Sequence, residues 1–132
     1  MTPEQVEQVL EEAVKAASSR GIRIDTQWGM SKDMGEFKLL SFGDHYKCCP
    51  ITAILITRPQ MARMNLTIVD TAAVVLGITA REVLDIVSGF DWEFPTAQQL
   101  RRPFVVVGNR LRKYISNPPE TKPQEEKFDI MP

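Results

Sequence analysis

The only histidine and both cysteines of this chain fall within one short stretch, Asp44-His45-Tyr46-Lys47-Cys48-Cys49-Pro50. Pro50 suits the first turn of a helix, so the spacing puts both thiols at a helix N-terminus, where the dipole and Lys47 favour the thiolate. A thiolate attacks disulfides and binds soft metals, which makes Asp44, His45, Cys48 and Cys49 the candidates for thiol or metal chemistry. Adjacent thiols, however, cannot resolve one another without strain, and exchange chemistry wants two residues between them. Zinc wants about four tetrahedral ligands, and these residues lack the paired spacings of known structural sites, leaving half a site that a second subunit would complete. Packing is the favoured reading, since a reduced cysteine behaves as a small hydrophobe, and thiol or metal chemistry is the alternative. No cofactor is expected, zinc being the one candidate.

A second set of reactive types is the basic cluster Arg101, Arg102, Arg110, Arg112 and Lys113, with no acidic residue between Leu100 and Asn117. It could hold phosphate, RNA or an acidic protein surface, with Tyr114 as a stacking face. Cations near a helix C-terminus also answer the negative dipole end, which needs no ligand. Catalytic templates fail: there is no phosphate-cradling glycine loop, no nucleophile elbow and no histidine pair. Glu11 with Glu12, and Asp91 with Glu93, are carboxylate neighbours, but the first pair belongs to an exposed helix face and the second flanks Trp92.

From Ala72 to Ile86 small Ala72 and Ala73, a corner at Gly77, and apolar Leu76, Ile78, Val83 and Ile86 recur at the spacing of two helices meeting at an angle. The segment resembles the helix-turn-helix family. The resemblance implies a recognition helix after Thr79, with Thr79, Ala80, Arg81 and Asp85 nearest the bases of a duplex. Arg81 alone is cationic there, while Glu82 and Asp85 meet phosphate with the wrong sign, so nucleic acid is a disfavoured partner.

The elements that must position these residues can be derived from capping and periodicity. Thr2-Pro3-Glu4-Gln5 is a capping box opening a helix to about Ser19, with Val6, Val9, Leu10, Ala13, Val14 and Ala17 on one face and Gly21 as its stop. Ile22 to Trp28 alternates as a half-buried strand ended by Gly29. After a loop through Asp33 and Gly35, Glu36 to Phe42 reads as its antiparallel partner. Ile51 to Ile56 is uniformly apolar; Pro50 and Pro59 favour a helix over a third strand. Asn65 is expected to cap a helix over 66–76, Thr79 opens one ending near Gly89, Thr96 with Gln99 starts a helical turn, and Pro103 restarts a last helix to Ser116.

The expected fold is therefore α+β, mainly helical, with four to five helices and one small antiparallel strand pair; the runner-up is all-α. Residues 1–116 form one domain, and 117–132, with Pro118, Pro119 and Pro123 among charges, form a disordered tail. Within that tail Phe128, Ile130 and Met131 make an apolar island suited to docking in a partner groove.

With 132 residues, 43% hydrophobic and 25% charged, the chain is an ordinary globular domain; its net charge of -1 gives no global field for nucleic acid or anionic lipid. Its start lacks the basic and apolar regions of a signal peptide, and no apolar run approaches membrane-spanning length, so the expected location is the cytoplasm. Missing catalytic templates leave a small non-enzymatic interaction or regulatory module as the expected function, acting with a protein partner or as a homo-oligomer. DNA regulation and thiol or metal chemistry are the alternatives.

Overall fold

The Thr2 hydroxyl accepts the Gln5 amide at 3.2 Å and the Gln5 side-chain carbonyl accepts the Thr2 amide at 2.9 Å, so the capping box forms and α1 runs Pro3–Ser19. The structure is a computed structural model and describes residues 1–26, 29–33, 36–42, 45–58, 66–92 and 94–115. α1 closes where expected: the Gly21 and Ile22 amides donate to the Ser18 and Ala17 carbonyls at 3.0 and 3.1 Å, satisfying two end carbonyls. Its apolar stripe, Val6, Leu10, Ala13, Val14 and Ala17, is buried, mainly against α2.

The strand region departs from the sequence reading. Of Ile22 to Trp28, only β1, Arg23–Ile24, is extended within a sheet; Gln27 and Trp28 lie outside the described residues. β1 does not pair with the segment after residue 36. It pairs in parallel with β5, His45–Cys48, with Arg23 opposite Lys47 and Ile24 opposite Cys48. The segment assigned to a loop instead supplies β2, Met30–Asp33, the antiparallel partner of β3, Glu36–Leu39. β4, Ser41–Phe42, returns antiparallel to β5, giving a three-stranded order β1-β5-β4 beside the two-stranded β2-β3. Alternation identifies which residues are extended, but pairing is decided by what else is buried. Ile24 and Cys48, register partners in this pair, are both fully enclosed, so the parallel register sets two buried positions side by side.

α2, Pro50–Thr57, is a helix as expected, with Pro50 in its first turn. Residues 50–55 are all buried, which explains their lack of periodicity: a helix enclosed on every side needs no polar face. α3, Ile68–Leu76, is capped by Thr67 rather than Asn65, the Thr67 hydroxyl accepting the Asp70 amide at 3.1 Å; Asn65 lies outside the described residues. Gly77 ends it at φ 64, a left-handed conformation that a side chain would strain. Thr79 and Glu82 then form the second capping box, at 3.1 and 2.8 Å.

α4 runs Ala80–Asp91, two residues past the expected stop at Gly89. Gly89 does not end the helix; it lets another helix in. A Cβ on Gly89 would fall 2.0 Å from the Val105 carbonyl oxygen, and one on Gly108 would fall 2.0 Å from that of Ile86. These reciprocal contacts set α4 against α5, Pro103–Arg110, with nothing but backbone between them at the crossing. Thr96 and Gln99 make the expected reciprocal hydrogen bonds, at 2.7 and 3.2 Å, but they open only a short 3-10 turn, Gln99–Arg101. The last helix likewise tightens into 3-10 geometry over Leu111–Tyr114 instead of continuing as α-helix to Ser116.

The architecture is thus α+β and mainly helical, with five α-helices and a small antiparallel strand pair among the described residues. No helix among them is long and apolar enough to cross a membrane. Residues 116–132, and with them the expected tail, lie outside the described residues.

Candidate docking groove between the fourth and fifth helices

β5 ends at Cys48 and α2 begins at Pro50, so both thiols do sit at a strand-to-helix junction. Their chemistry is the reverse of that expected from the dipole. Cys48 and Cys49 are 0% and 2% exposed, and burial pushes both thiols well above the ordinary value, the neighbouring Cys49 adding to the effect on Cys48. The helix start does act on Cys49: the Thr52 hydroxyl, 3.5 Å away, and the Thr52 and Ile51 amides pull its pKa down. Desolvation is the larger effect, so the thiolate expectation is corrected to a pair of protonated core thiols. His45 opens β5 opposite Phe42, and Asp44 lies outside the described residues. Among the described residues no group of three His, Cys, Asp or Glu is placed to hold a metal ion.

The basic cluster, continuous in sequence, is divided by the fold. Arg102 donates to Asp85 on α4 at 3.0 Å. Arg110 and Lys113 face Glu7 and Glu11 on α1 at 3.3 and 3.5 Å. Arg112 donates to the Phe90 carbonyl oxygen at the end of α4. Tyr114, the expected stacking face, donates its hydroxyl to Glu11; this bond and Lys113 hold the Glu11 carboxyl below its ordinary range, and the same bond raises Tyr114 to about 12. Carboxylates of α1 and α4 therefore neutralise most of the expected positive field, and Arg101 is left exposed at the end of its 3-10 turn.

At the α3–α4 corner Leu76, Val83 and Ile86 are buried and Ile78 is partly buried, the packing that any two helices meeting at an angle require. Of the residues assigned to the bases, Arg81 is exposed and Asp85 is turned to Arg102. That face of α4 borders a groove of about 350 Å³. One wall is Arg81, Leu84, Asp85, Ser88 and Trp92, which recur at helical spacing; the other is Gln99, Arg102 and Val105 from the 3-10 turn and α5. The Asp85–Arg102 pair ties the walls together. Asn109 ties α5 to the end of α4 by donating to the Gly89 and Trp92 carbonyl oxygens at 3.2 and 3.0 Å.

Large apolar side chains are exposed on one wall of this groove and in the connection that follows α4. Leu84 and Trp92 on its wall are 49% and 47% exposed; Leu100, beside Gln99, is 43% and Phe94, two residues past Trp92, is 87%. The sequence reading missed Leu84 and Phe94. A signal was present: Val83, Ile86 and Phe90 already fill the buried stripe of α4, so Leu84 and Trp92 form a second, separate apolar line eight residues apart. Phe128, Ile130 and Met131 lie outside the described residues. Comparison of the chain with family models, with curated proteins and with solved structures finds no match.

Proposed function

We propose that this protein is a small cytosolic interaction module, non-enzymatic, whose α4–α5 groove takes a short segment of a protein partner. The observation that carries the reading is the exposure of Leu84 and Trp92 on one groove wall, with Leu100 and Phe94 exposed in the connection between α4 and α5. Apolar area of this kind, rimmed by arginine and glutamine, is the composition of an interface centre; tryptophan and arginine are the side chains that most often carry binding energy there. The groove is also pre-formed, because the glycine crossing, the Asp85–Arg102 pair and the Asn109 bonds hold both walls. A partner segment then meets a surface that need not be ordered on binding.

The test is a random-peptide display selection on the full chain, with subsequent titration of recovered peptides against the parent, Leu84→Asp and Trp92→Ala. Both positions are half exposed, so both variants should keep the parent's circular dichroism. Apolar peptides whose affinity falls about tenfold or more in both variants are the expected result. Recovery of no binder, or binders indifferent to both substitutions, rejects the reading.

A further inference from the structure

We infer that the groove's resident occupant is the segment Phe128 to Met131 of this same chain, bound in cis. The inference rests on the groove being a docking face, and it adds both the occupant and its consequence. The first argument is chemical match. Phe128, Ile130 and Met131 are apolar, and Asp129 stands among them. The groove offers Leu84, Trp92 and Val105 to apolar side chains and Arg81 to a carboxylate. Its fixed charges are Arg81 and Arg102 against Asp85, a net positive site for an acidic segment. Arg102 keeps 42% of its side chain exposed although it is paired with Asp85.

The second argument is reach. Counting back from Ile115, the 3-10 turn and α5 together place Arg102 about 20 Å away at ordinary rises per residue. Residues 116–127 can span about 40 Å when extended, so Phe128 reaches the groove with slack. Tethering at this length gives an effective concentration on the order of 1 mM. A segment that binds with a dissociation constant of about 0.1 mM would then fill the groove roughly ten times out of eleven. A partner must displace it, and its apparent affinity falls about tenfold. The module is thereby self-occupied until a stronger segment arrives.

The experiment uses the full chain and a groove-binding peptide from the display selection. Its affinity is measured for the parent, for the Phe128→Ala/Ile130→Ala double variant and for Asp129→Lys. The expected result is about tenfold tighter binding to both variants, independent of protein concentration. Equal affinity for parent and variants overturns the inference while leaving the groove as a docking face. A gain that disappears on dilution assigns the segment to a second copy and overturns the cis arrangement. No peptide binding to any of the three proteins removes the docking face, and this inference with it.

Discussion

Replacing Gly108 by alanine places a methyl group against backbone that cannot rotate away. The new Cβ would lie 2.0 Å from the Ile86 carbonyl oxygen, 2.8 Å from the Ile86 carbonyl carbon and 2.9 Å from the Phe90 amide nitrogen. Ordinary contact begins near 3.5 Å, so α4 and α5 must separate by about 1.5 Å at the crossing. Two effects then oppose each other. Alanine stabilises a helix interior by about 1 kcal/mol over glycine, whereas overpacking costs about 1–3 kcal/mol, and the upper end applies when the obstruction is main chain. Separation also loosens Val83, Ile86, Phe90, Phe104 and Val107, all buried in the same core. The expected net loss is about 2 kcal/mol, which lowers the urea midpoint by about 1 M at the slope usual for small domains. Gly89→Ala should behave alike, its Cβ falling 2.0 Å from the Val105 carbonyl oxygen. The double variant should lose clearly less than the sum, because one separation admits both methyl groups. Circular dichroism during urea unfolding reads all three. A midpoint that is unchanged or raised in either single variant, which helix propensity alone would give, refutes the crossing; strict additivity refutes its reciprocity.

The buried thiols make stability fall in alkali. A pKa raised in the folded state means that the contribution is complete below the unfolded value, 9.0, and is lost as pH rises above it. Each thiol should remove up to about 1.4 kcal/mol per pH unit beyond pH 9, and Cys48→Ala should flatten the slope of urea midpoint against pH; an unchanged slope would place the thiol in water. In the native protein at neutral pH both cysteines should resist iodoacetamide and react only after unfolding, so rapid labelling counts against their burial. Tyr114→Phe removes the donor to Glu11 and should cost about 1 kcal/mol at pH 7. Because the Glu11 carboxyl is held below its ordinary 4.5, that difference should shrink as pH drops through and below 4.5; a pH-independent difference would mean that the hydroxyl serves packing alone.

What the sequence determined by itself is local in origin. Thr2, Thr79 and Thr96 each start their turns through partners three residues away, and Gly21 and Gly77 stop helices through bonds within the same turn. Such interactions involve only neighbouring atoms, so residue order specifies them. The mainly helical α+β class came from summing them. Tertiary structure decided everything that depends on which surfaces meet. It paired β1 with β5 and turned the presumed loop into β2, because enclosure of Ile24 and Cys48 outweighs the preference of either strand. It reversed the chemistry of Cys48 and Cys49, since desolvation exceeds the pull of the helix start. It divided the basic cluster among Asp85, Glu7 and Glu11, carboxylates distant in sequence. The glycines at 89 and 108 show the same division: the first reads as a helix stop in sequence and the second as one more position of a helix, and only the facing helix reveals that each missing side chain is the space it occupies.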